Sequence, residues 1–168
     1  LGSGFYAAQT FTHAPQGRVI QIGWLQTATR GMPFNQAMSL PLELKLRNTP
    51  DGLRMTWTPV KELEKLRAKS HHIDPRMLKP GDANPLAAVN GELLEISAAF
   101  EPGDAEEISF NVRGAVIAYD TKKQELSVDN HKGPAPLCGG RQQIVIYVDR
   151  TALEVFAGDG LTYMPKPF

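Results

Sequence analysis

Apolar and polar residues alternate with a period of two along most of this chain, which is the pattern of half-buried β-strands. Phe5 to His13 is rich in aromatic and β-branched residues, and Arg18 to Gln26 sets Val19 and Ile20 before Gln21 and Trp24. Between them Ala14-Pro15-Gln16-Gly17 supplies a proline that presets φ and a glycine that tolerates φ > 0, so a hairpin is predicted. Leucines and charged residues then alternate from Met38 to Arg47, where Pro41 puts the start of the strand on an edge or at a bulge. Asn48-Thr49-Pro50-Asp51 with Gly52 is a turn signal, and Leu53 to Trp57 runs back. About four strands are expected before residue 60.

The period then changes. Val60, Leu63 and Leu66 recur at helical spacing among charged residues, predicting a short helix over Val60 to Lys69. Residues 70–90 hold Pro75, Pro80, Pro85 and Gly81 without periodicity and are expected to form a surface linker. From Glu92 the period of two returns. Leu94, Ile96, Ala98 and Phe100 share a face, followed by Ile108, Phe110 and Val112, then Ala115 to Tyr119, Glu125 to Asp129, Gln143 to Asp149 and Ala152 to Ala157. Six or so short strands spaced near ten residues predict an antiparallel β-sandwich. The expected fold class is therefore all-β.

At 168 residues and 42% hydrophobic, the chain is long enough for one domain plus an appendage. Eighteen Lys and Arg balance eighteen Asp and Glu, so no net field favours nucleic acid or an anionic membrane, and neither partner is expected. Apolar runs stay short of a spanning helix. Cys138 is the single cysteine, which excludes an intrachain disulfide. His71-His72 with Asp74 lacks metal-ligand spacing, and Cys138 with His131 lacks the signature of an activated thiol, so no metal and no catalytic thiol are expected. Nucleotide and other cofactor fingerprints are missing, and no cofactor is expected. Glu43, Glu95, Glu107 and Glu154 each alternate with apolar neighbours and are expected on solvent faces. Trp24 and Tyr6 remain. An aromatic at a strand end either packs in the core or floors a sugar site, because the apolar face of a furanose stacks on a π surface.

The succession "FYAAQTF", "GRVIQIGWL", "MPFNQAMSLPLELKLR" and "IYVDRTALEVFAGDG" resembles the C-terminal portion of glycoside hydrolase family 32, the invertases, levanases and inulinases that cleave β-fructosides. In that family a five-bladed β-propeller holds the active site and a β-sandwich packs behind it. The resemblance implies that residues 1–59 are the end of the last propeller blade, 60–90 the connecting helix and linker, and 91–168 the sandwich. It implies a missing N-terminal propeller portion, sucrose or a fructan as substrate of the whole protein, and a secreted or periplasmic parent. The family's nucleophile, its acid/base and the Asp that holds the fructosyl hydroxyls have no counterpart, so no catalytic residue is expected in this chain. "IDPR" at Ile73 to Arg76 has Arg after the Asp-Pro instead of before it, "LC" at Leu137-Cys138 lacks the Glu, and "GDANP" lacks the Asn-Asp-Pro order. What carries over is Trp24 and Tyr6, which by resemblance line the fructosyl pocket.

Three roles fit these observations: the C-terminal part of a β-fructosidase, inactive alone; a stand-alone carbohydrate-binding sandwich; and a docking module that completes a propeller in trans. An open blade exposing strands 5–13, 18–26 and 38–47 is also expected to self-associate.

Overall fold

The computed structural model describes residues 2–168. Its regular structure is nearly all β, in three antiparallel sheets. The first sheet contains β1 (Phe5–Thr10), β2 (Val19–Leu25), β3 (Ala37–Met38), β4 (Leu42–Thr49) and β5 (Gly52–Pro59). Its order is β1-β2-β4-β5, with β3 paired to β2. The predicted hairpin closes through Pro15–Gly17, where Gln16 and Gly17 both have positive φ. The strand expected from Met38 to Arg47 is broken at Ser39–Pro41. Pro41 has no N–H for a ladder, and its carbonyl instead accepts from Val60 N–H at 3.0 Å.

The helix expected over Val60 to Lys69 is instead a 3-10 segment, Lys61–Leu66, which buries none of its residues. Only Val60, just before it, is buried, and Leu66 stands 78% exposed. So short a segment with no side-chain N-cap does not sustain an α-helix on propensity alone. Arg67 anchors its end to Glu95 through hydrogen bonds of 2.6 and 2.8 Å. At its start, Arg18 on the hairpin bonds Glu62 and Glu43, and holds the Glu62 carboxyl down at about 2. Residues 67–93 carry no strand or helix.

Eight strands follow, where about six were expected: β6 (Leu94–Phe100), β7 (Glu107–Val112), β8 (Ala115–Asp120), β9 (Glu125–Val128), β10 (His131–Pro134), β11 (Gln142–Val148), β12 (Ala152–Ala157) and β13 (Thr162–Pro167). They form two four-stranded sheets, β10-β9-β8-β7 and β13-β12-β11-β6. The additional strands are β10 and β13, whose sequences HKGP and TYMPKP do not alternate and contain prolines. Both are at sheet edges, where a missing N–H leaves no ladder bond unmade. Ile117, Tyr119, Leu126 and Val128 of one sheet face Ile144, Ile146, Leu153, Val155 and Met164 of the other, with Phe100 and Phe110 packed at the margin.

The first sheet packs on the outer face of β13-β12-β11-β6, which makes three layers. Every residue of β12 is buried. Leu153, Val155 and Ala157 point into the sandwich core, and Phe156 joins Tyr163 and Leu42 in a second cluster with Phe5, Trp57 and Tyr147 against it. Backbone bonds tie the layers at both ends: Ser3 N–H to Pro165 O at 3.0 Å and Trp57 N–H to Gly160 O at 2.8 Å. Gly160, at φ 82°, brings its α-carbon so close that a Cβ would lie 2.7 Å from the Trp57 carbonyl oxygen. Phe156 thus belongs to the contact between layers, on the face of its strand that it shares with Glu154.

Candidate functional site

The two aromatics singled out in the sequence meet. In the β1–β2 ladder Phe5 pairs with Leu25 and Tyr6 with Trp24. Phe5 is turned to the sandwich, where its ring meets Tyr163 edge-on at 5.5 Å. Strand alternation then turns Tyr6 and Trp24 to the opposite face. Their rings lie edge to face, centroids 6.1 Å apart. Trp24 is 38% exposed and Tyr6 62% exposed, so among the described residues neither ring is packed in a core. Met38, paired with Trp24 across β3, extends the same apolar surface.

Three local features hold this pair. A bulge follows Tyr6, with Ala7 at φ 47°, a conformation costing an L-residue about 1–2 kcal/mol. Gly23, just before Trp24, lets the Phe5 ring lie against the backbone, since a Cβ there would come within 2.4 Å of that ring. The break in the third strand places Ser39 opposite Gly23. Ser39 N–H donates to the Gly23 carbonyl at 2.8 Å, and Gly23 N–H donates to the Ser39 hydroxyl oxygen at 3.0 Å.

The four glutamates expected on solvent faces separate. Glu107 is exposed as expected. Glu43 is half-buried between Arg18 and Lys45, with Lys45 foremost in lowering its pKa, and Glu95 is half-buried under Arg67. Glu154 overturns the expectation outright. It is buried between the first sheet and the sandwich, accepting from Leu40 N–H at 2.8 Å and from the Tyr163 hydroxyl. Burial pushes its carboxyl up to about 7, against the opposing pull of those two hydrogen bonds. Burial likewise raises the Tyr163 phenol.

His72 and Asp74 approach to 3.5 Å but are both largely exposed, and Cys138 is exposed. Among the described residues no cluster of three or more His, Cys, Asp or Glu is gathered around a common point, and no helix is long and apolar enough to cross a membrane.

A three-layer, all-β chain with an exposed aromatic pair opposite the sandwich is the class that fold and site define. Residues 62–165 match the family model described as glycosyl hydrolases family 32 C terminal, and the chain belongs to that family. It is 33% identical over 189 residues to the levanase of Bacillus subtilis, an alignment covering 95% of this chain and 28% of that protein. It is 27% identical over 183 residues to the sucrose-6-phosphate hydrolase of Zymomonas mobilis, covering 96% and 34%. Among solved structures it is similar in fold to the exo-inulinase of Aspergillus awamori, with TM-score 0.80, 22% identity, and coverage of 99% of this chain and 38% of that one. The family 32 beta-fructofuranosidase of Bombyx mori superposes with TM-score 0.73 at 22% identity, covering 99% and 36%. The chain thus spans about a third of the length of these relatives.

Proposed function

We propose that this chain is the C-terminal part of a retaining β-fructoside hydrolase, in which Trp24 and Tyr6 form part of the fructosyl pocket and the sandwich stabilises the catalytic propeller. Residues 1–59 are then the end of the last propeller blade, 60–90 the connector and 91–168 the sandwich domain; Leu1 lies outside the described residues. The observation that carries the proposal is the Tyr6–Trp24 pair, open on the face turned away from the sandwich. A furanose ring has an apolar face for such a surface and hydroxyls left free for polar groups. The names of the relatives, a levanase, a sucrose-6-phosphate hydrolase and an exo-inulinase, support a β-fructoside as ligand.

Further support comes from the rest of that sheet, where Phe11, Met38, Leu46 and Leu53 are more than half exposed and β1 is an edge strand. Such a surface fits the neighbouring strands of a propeller and, without them, a second copy. The family's catalytic carboxylates have no counterpart here, so orientation alone supplies too little rate. Purified chain incubated with sucrose, inulin or levan is expected to release no fructose above buffer. Sustained turnover abolished by Trp24→Ala overturns the proposal. In sedimentation the chain is expected to associate with rising concentration, and addition of the propeller portion in trans is expected to suppress this. A strictly monomeric chain at high concentration favours an independent binding module instead.

A further inference from the structure

Glu154 does not touch the aromatic pair, yet hydrogen bonds joined by single peptide links lead from it to Gly23, the residue before Trp24. Its Oε1 accepts from Leu40 N–H at 2.8 Å. Leu40 follows Ser39, whose hydroxyl donates to the Leu40 carbonyl at 3.0 Å and accepts from Gly23 N–H at 3.0 Å. Ser39 N–H returns a bond to the Gly23 carbonyl at 2.8 Å, and the preceding Met38 pairs directly with Trp24. Pro41 follows at once and fixes its own φ, which limits the segment's freedom to slide. The other carboxyl oxygen is held by Tyr163 on β13.

Burying a carboxyl costs more than burying an apolar side chain of similar size, and a leucine would suit neighbours such as Phe156 and Leu42. What the carboxyl adds is direction. It is an acceptor anchored in the sandwich and aimed at one backbone N–H of the first sheet.

We propose that Glu154 is a positioning residue for the sugar-facing pair, fixing Trp24 from the sandwich through Leu40, Ser39 and Gly23. The proposal rests on the assignment of Trp24 to the sugar pocket, and its test separates the two. The charged and titratable groups around Glu154 are Tyr163 on β13, Tyr147 across the ladder on β11 and Asp149 just beyond β11, while the first sheet presents the Leu40 N–H. Burial places the Glu154 carboxyl to change charge near neutrality.

In the uniformly labelled chain the two indole N–H resonances are followed by NMR, with Trp57→Phe assigning that of Trp24. Between about pH 5 and about pH 9 the Trp24 resonance is expected to move on one curve, tracking the Glu154 carboxyl carbon. Glu154→Gln, which keeps an acceptor for Leu40, should reduce that movement roughly five-fold or more while leaving the resonance near its original position. Glu154→Ala should displace the resonance, so that Gln rescues what Ala loses. Ser39→Ala should uncouple Trp24 although Glu154 still titrates. A Trp24 resonance that stays fixed while the Glu154 carboxyl titrates, or that keeps its full curve in Glu154→Gln, overturns the proposal. If the Ala variant does not fold, the wild-type and Gln curves alone decide it. Fructose added at fixed pH forms a separate arm: no response of Trp24 to fructose removes the sugar assignment while the pH curves still judge the positioning.

Discussion

Phe156→Ala tests whether the first sheet and the sandwich form one cooperative body. The ring is 4% exposed, stacks on Tyr163 at 5.0 Å and 21°, and meets Tyr147 edge-on at 6.1 Å. Removing it forfeits about 2 kcal/mol of transfer free energy. A residual void of about 80 Å³, at about 24 cal/mol per Å³, adds about 2 kcal/mol more. The expected loss is about 4 kcal/mol, within the usual range for a buried phenylalanine. Urea unfolding, in a Trp24→Phe background that leaves Trp57 as the one indole, should be followed by two probes: Trp57 fluorescence, which reports the layer contact, and far-UV circular dichroism, which reports all three sheets. Both midpoints should fall together with an unchanged slope. A loss below about 1.5 kcal/mol, or a shift in the Trp57 signal alone, would show that the first sheet does not fold as one unit with the sandwich.

Glu154 links stability to pH. Its folded pKa of about 7 lies above the ordinary 4.5, so the group's contribution is full below the ordinary value and is lost as pH rises through about 7. The urea midpoint should therefore fall between pH 5 and pH 8 by the equivalent of roughly 2–3 kcal/mol, and Glu154→Gln should flatten the profile. A wild-type profile that rises over this interval contradicts the burial. Residues 91–168 expressed alone should keep a cooperative two-sheet core while exposing Phe156 and Tyr163, which dye binding would detect; an unfolded product by near-UV circular dichroism refutes autonomy. In an enzyme that also contains the propeller portion, Trp24→Ala should lower kcat/KM by roughly 10- to 100-fold, and an unchanged value would remove the residue from the pocket. Gly23→Ala should destabilise by roughly 1–3 kcal/mol, because the new methyl group meets the Phe5 ring; thermal unfolding within about 1 °C of wild type would count against that packing.

Much of the fold was legible because a strand with one wet and one dry face writes its period into the chain. The opening hairpin, the return strand after Gly52 and six sandwich strands follow from alternation and turn residues. β10 and β13 were not legible, since edge strands tolerate proline and need no alternation, and their pairing comes from neighbours distant in sequence. The adjacency of Tyr6 and Trp24 follows from the hairpin, but their exposure does not: an aromatic in a strand reads alike on either face until it is known which face is covered. Glu154 shows the same limit from the other side. Local alternation in ALEVFA assigns Leu153, Val155 and Ala157 to one face and Glu154 with Phe156 to the other, and that assignment is right. Only the tertiary structure lays a third sheet over the second face, removing water from a carboxyl that the sequence alone leaves in solvent. Periodicity determines which residues share a face; what lies against that face depends on contacts more than a hundred residues away, such as Leu40 with Glu154.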